Sequence, residues 1–129
     1  MPRPSSTQPT DVELQILRIL WEQGASTARE IHNALAGERE TNYSTTVKML
    51  SVMYDKGMVK RDAEVRPQVF QPVASQEKTQ RRMLKNLIEK AYDGSAGSLV
   101  LHALSSKKTS PEELAEIRRL LGELEQGEQ

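Results

Sequence analysis

A mostly α-helical fold carrying one β-hairpin is predicted by three features of this 129-residue sequence. Three stretches before Met58 open on helix-start signals and repeat apolar residues at helical spacing. From Met58 the pattern changes to that of short strands around a polar turn. After Ser75 the helical period returns in three further stripes.

Residues 1–9, rich in Pro, Ser and Thr, read as a disordered lead. Structure is expected to start at Thr10-Asp11-Val12-Glu13, where a hydroxyl and a carboxylate three residues apart satisfy each other's backbone N–H. Leu14, Leu17, Leu20 and Trp21 follow at helical spacing, Ile16 and Ile19 widen the apolar face, and Gly24 stops the helix. A second box, Thr27-Ala28-Arg29-Glu30, opens a helix with Ile31, Ala34 and Leu35 inward, ended by Gly37 and the polar run 38–42. A third helix is expected over 44–57, capped by Ser44, with Val47, Leu50, Met53 and Tyr54 facing the core. Lys56-Gly57 closes it with a cation and a residue that tolerates left-handed backbone. Residues 58–63 and 68–73 are then two strands joined by Glu64-Val65-Arg66-Pro67, and Pro72 puts the second strand at an edge or at its end.

Three short helices and a hairpin are the element order of a winged helix, here spanning 10–74. Helices two and three would form the helix-turn-helix, and the hairpin the wing. Residues 75–125 form a second, three-helix unit. Its first stripe is Leu84, Leu87, Ile88, Ala91 and Tyr92; its second, after a break at 94–97, is Leu99-Val100-Leu101 with Leu104. The last helix starts at Ser110-Pro111-Glu112-Glu113 and carries Leu114, Ile117, Leu120, Leu121 and Leu124. So short a unit is too small to make a dependable core alone. Pairing with a second copy buries the stripes, which makes this a dimerisation domain. Leu84, Leu87, Ile88, Leu99, Leu101, Leu104, Leu114, Ile117, Leu120 and Leu121 are its expected contacts. The alternative is that these helices fold back on their own winged helix.

Composition narrows the function. Hydrophobic residues are 36% and charged residues 28%, as in water-soluble globular domains. Eighteen basic and 18 acidic residues cancel, so a nucleic-acid partner has to be argued from local charge. The absence of Cys excludes disulfides, thiolate zinc sites and cysteine redox sensing. His32 and His102 are the only histidines, and neither a triad-like motif nor a glycine-rich phosphate loop is visible. The chain therefore does not read as an enzyme, and no metal or other cofactor is expected. No apolar run approaches the roughly 20 residues that span a bilayer, and the N-terminus shows no secretory signal. Cytoplasm is the expected location, without membrane insertion.

The third helix is the candidate reader of double-stranded DNA. Its start, Tyr43, Ser44, Thr45, Thr46, Lys48 and Met49, offers hydroxyls and backbone N–H groups to phosphates and base edges. Methyl groups of Thr and Met suit thymine, and Lys48 suits guanine or phosphate. Thr27, opening the helix before it, joins the set. From Thr41 to Arg61 four bases face the single acid Asp55, and Lys60, Arg61 and Arg66 on or near the wing are candidate phosphate contacts. A plain amphipathic helix and a solvated strand edge would show the same residues. A winged helix used as a protein-interaction module, or a regulator sensing a small ligand, are the alternatives in function.

Beyond these features, the sequence resembles the penicillinase and methicillin-resistance repressor family of bacterial winged-helix transcription regulators, from about Thr10 to Leu121. The likeness runs through Glu13-Leu14-Gln15-Ile16-Leu17, Leu20-Trp21, Thr27-Ala28-Arg29-Glu30-Ile31, Tyr43-Ser44-Thr45-Thr46-Val47, Lys56-Gly57 and Phe70-Gln71-Pro72. In the C-terminal half it includes Ala91-Tyr92-Asp93-Gly94, Ser98-Leu99-Val100-Leu101 and Ser110-Pro111-Glu112-Glu113-Leu114. The resemblance implies a homodimeric repressor on palindromic operators. It also implies relief through a membrane-bound sensor metalloprotease system, with cleavage commonly at an Asn-Phe bond. The corresponding pair here is His102-Ala103, so that scissile pair is absent.

Overall fold

A computed structural model describes residues 8–127, so the lead expected over 1–9 lies outside the described residues except for Gln8 and Pro9. The chain divides into two compact units, up to Leu84 and from Lys85 onward.

In the first unit α1 (Asp11–Gln23) opens on the expected box: Thr10 Oγ1 accepts the Glu13 N–H and Glu13 Oε1 accepts the Thr10 N–H. It stops at Gly24, whose φ of 83° is open to glycine at no steric cost. Next, α2 (Ala28–Ala36) carries the same reciprocal box between Thr27 and Glu30. The two-residue strand β1 (Ser26–Thr27) precedes it, and α3 (Tyr43–Asp55), β2 (Val59–Asp62) and β3 (Val69–Pro72) follow. This is a winged helix, with β2 and β3 as the wing.

Three details differ from the sequence reading. The cap of α3 is Asn42, not Ser44: its carboxamide oxygen takes the Thr45 N–H and the Ser44 hydroxyl, both at 2.9 Å. The inward face of α3 is Thr46, Leu50 and Met53, while Val47 and Tyr54, expected inside, are 41% and 40% exposed. Positions 46, 50 and 53 share a helical stripe, and Val47 lies one residue's rotation off it. Finally, β1 adds a strand too short to leave a periodic signal, pairing antiparallel with Val69 and Phe70. The sheet order β1-β3-β2 makes β3 central. Pro72 therefore marks the end of its strand rather than a sheet edge, opposite Val59 and beyond the reach of β1.

The core joins Ile16, Leu17, Ile19 and Leu20 of α1 to Ile31, Leu35, Leu50, Met53, Val59 and Phe70. One carboxylate is buried with them. Glu13 is 1% exposed, and its Oε2 accepts from Lys56 Nζ at 2.8 Å, fastening the start of α1 to the end of α3. Burial pushes the Glu13 carboxyl up, but the Lys56 ammonium and the Thr10 N–H and hydroxyl together hold it below its ordinary 4.5.

Helix α4 (Gln76–Ala91) ends near Asp93 and Gly94, both at positive φ. In the second unit, what reads as a short apolar piece is a full helix, α5 (Ala96–Ser106), capped by Ser95. The last helix, α6 (Pro111–Gly127), starts on the expected Ser110–Glu113 box. Among the described residues of α5 and α6 none is buried.

Candidate nucleic-acid interface

The Asn42 cap leaves the first turn of α3 facing outward. Ser44, Thr45 and Lys48 are exposed on one side of it, a spacing of one helical turn. The side chain of Thr46 is different: fully buried, it donates to the Asn42 carbonyl at 3.3 Å and lies 2.9 Å from His32 Nδ1. An Nδ1–H tautomer of His32 completes that hydroxyl's bonding, so Thr46 ties α3 to α2 and is withdrawn from any groove. Met49, expected as a groove contact, is half-buried and packs against the core. Both shifts follow from the inward face starting at position 46. Thr27 is half-buried, its hydroxyl accepting the Glu30 N–H.

Two arginines are braced by tyrosines on this side. The Arg29 guanidinium carbon sits 3.9 Å from the centre of the Tyr43 ring, and Tyr43 packs edge-on against His32 at 5.7 Å. On the wing Arg61 lies 3.9 Å from the centre of the Tyr54 ring. Both guanidiniums and Thr27 border one open cleft of about 410 Å³ between α2, α3 and the hairpin. Stacking fixes an otherwise mobile side chain while its N–H donors stay outward. Lys60 and Arg66 are exposed on the strand and turn, without an ion-pair partner among the described residues.

Sequence reasoning missed Arg29, Tyr54 and the positioning role of His32. Arg29 is legible in hindsight as a basic residue in the first turn of the helix that packs on α3. Tyr54 reads as core in the sequence because its spacing from Leu50 is also that of an inward residue.

In the C-terminal unit and the helix leading to it, Leu84, Leu87, Leu101, Leu104, Leu120 and Leu121 are exposed; Ile88, Leu99, Leu114 and Ile117 are half-buried. His102 and Ala103 lie inside α5, both exposed, with His102 Nδ1 3.3 Å from the Tyr92 hydroxyl. Among the described residues no group of three or more His, Asp or Glu is placed to hold a metal. No helix there is long and apolar enough to cross a membrane.

The family model described as "Penicillinase repressor" matches residues 9–123. The chain belongs to the penicillinase repressor family. It is 23% identical over 112 residues to "Methicillin resistance regulatory protein MecI" of Mammaliicoccus sciuri, covering 87% of this chain and 91% of that one. Against "Penicillinase repressor" of Bacillus licheniformis identity is 24% over 116 residues, covering 90% and 91%. Against "Transcriptional regulator BlaI" of Mycobacterium tuberculosis it is 26% over 119 residues, covering 91% and 85%. Among solved structures, a MarR family protein from Bacillus stearothermophilus aligns over 92% of this chain and 74% of its own, with 25% identity and a TM-score of 0.48. Penicillinase repressor family members are transcriptional repressors, not enzymes.

Proposed function

We propose that this chain is a homodimeric repressor that binds palindromic operator DNA in the cytoplasm, laying the first turns of α3 in the major groove. The observation that carries this reading is the exposed row Ser44, Thr45 and Lys48, flanked by the tyrosine-braced guanidiniums of Arg29 and Arg61. Hydroxyls and an ammonium at the capped end of a helix reach base edges. The guanidiniums beside them suit the phosphates that set register. Lys60 and Arg66 extend the phosphate contacts along the wing, and Tyr43 and Thr27 border the same face.

The apolar faces of α5 and α6, with those of α4, supply the homodimer contacts, from Leu84, Leu87 and Ile88 to Leu120 and Leu121. A two-fold pair presents two α3 helices to half-sites about one helical turn apart or a small multiple. Relief follows from loss of these helices: a break at His102-Ala103 would remove the end of α5 and all of α6. Losing bivalency lowers operator affinity with every DNA contact intact. A membrane-bound sensor metalloprotease system is the partner for that step.

The test is selection from random duplexes followed by gel-shift titration. A palindromic sequence should be enriched, and Thr45→Ala or Lys48→Ala should weaken binding to it while the dimer persists. Full affinity in both variants would remove α3 from the interface.

A further inference from the structure

A second feature of the first unit is a cavity of about 180 Å³ where the end of α3, the exit of the wing and the start of α4 meet α1. Its apolar wall includes Leu17, Met58 and Val73, and its cations are Lys56, Lys78 and Arg82. No carboxylate lines it. Lys56 is neutralised by Glu13, whereas Lys78 and Arg82 have no ion-pair partner among the described residues. The latter two stand one helical turn apart at the beginning of α4, where like charges repel and the helix dipole disfavours cations. Two uncompensated cations beside an apolar wall match a molecule with one anionic end and one apolar body. The pocket opens to solvent at Val73, Lys78 and Arg82, and its volume has room for a single ring or a short acyl chain.

We propose that this cavity is an effector site for a small apolar carboxylate, of the size of a single ring or a short acyl chain. The carboxylate lies between Lys78 and Arg82, and the body rests on Met58 and Val73. Lys56 caps the C-terminus of α3, Met58 leads into the wing and Val73 leaves it. A ligand here therefore touches the end of the DNA-facing helix and both ends of the hairpin. The consequence for operator affinity rests on the proposed DNA-binding reading; the binding itself does not.

The protein carries its own reporter. Its sole tryptophan, Trp21, donates from Nε1 to the carbonyl of Ala74 at 3.1 Å, and Ala74 lines the cavity. Titrating the full chain with benzoate and with hexanoate should give a saturable change in Trp21 fluorescence at or below about a millimolar. Benzamide and hexanol, which lack the charge, should not, and inorganic phosphate, which lacks the apolar body, should not. The exposed double variant Lys78→Gln/Arg82→Gln should melt like the parent and bind the carboxylates about tenfold more weakly. Saturating carboxylate should then weaken operator binding about fivefold or more. No saturable response to either carboxylate, or equal responses to phosphate, would overturn the site. Saturable binding with operator affinity unchanged would overturn its effector role. Failure to bind any duplex would instead count against the DNA-binding reading and leave the ligand titration standing.

Discussion

Removing the cation that faces Glu13 is the sharpest perturbation available in the N-terminal unit. In Lys56→Met the length and apolar stem of the side chain are kept, but Glu13, 1% exposed, is left without its counter-ion. Stranding a buried charge in this way costs about 3–5 kcal/mol. Lys56 is itself 28% exposed, so water screens part of the attraction and the expected loss falls to about 2 kcal/mol. For a unit of this size that lowers the melting midpoint by about 10 °C. Trp21 lies in the same unit and reports its unfolding by fluorescence. The double variant Glu13→Gln/Lys56→Met should recover much of the loss, because the stranded charge is gone. The pH dependence is also fixed in sign. Because the folded carboxyl sits below its ordinary 4.5, the ion pair contributes fully above that pH and is lost as the pH falls through the folded value. The gap in stability between the parent and Glu13→Gln should therefore narrow below pH 4.5. A Lys56→Met midpoint within a degree or two of the parent, or a gap that widens in acid, would refute the reasoning.

Other substitutions separate positioning from contact. Arg29→Ala should weaken operator binding across sequences alike and reduce the salt slope by about one, read by titrations at several salt concentrations. Thr46→Val should cost about 1–2 kcal/mol in a urea melt by leaving His32 Nδ1 without its partner, and should weaken DNA binding only as far as α3 shifts. Phe70→Ala, in the central strand, should cost about 3–4 kcal/mol by the same melt. Leu101→Arg together with Leu120→Arg should yield monomers by sedimentation, with the Trp21 melt retained and operator affinity reduced. Persistent dimers in that variant would move the pairing surface elsewhere.

The helix starts at Thr10, Thr27 and Ser110 were legible because a capping box is a local pattern, complete within four residues. The wing was legible because Met58 changes the period and Pro67 supports a turn. What escaped the sequence depends on partners distant along the chain. Whether Thr46 or Val47 faces inward depends on where α3 begins, and Asn42 and Ser44 are equally good caps by type. The two-residue β1 is defined only by Phe70 and Val69 across from it. Arg29 and Tyr43 lie 14 positions apart, on different helices, so no single window shows them as a pair. The cavity gathers residues of α1 and α4 with those just after α3 and β3, and has no motif at all.

No residue of α5 or α6 is fully buried within its own chain, and Leu101, Leu120, Leu121 and Leu124 are each more than half exposed. With a second copy as the partner, their folded population depends on how many chains share the compartment. Growth and division then act on repression through dosage. Where pairing is weak, halving the chain count cuts the paired form to roughly a quarter. On the proposed homodimeric reading, such a repressor measures its own abundance, and a cell that stops making it would lose control of its promoters within few divisions, without any cut in the chain.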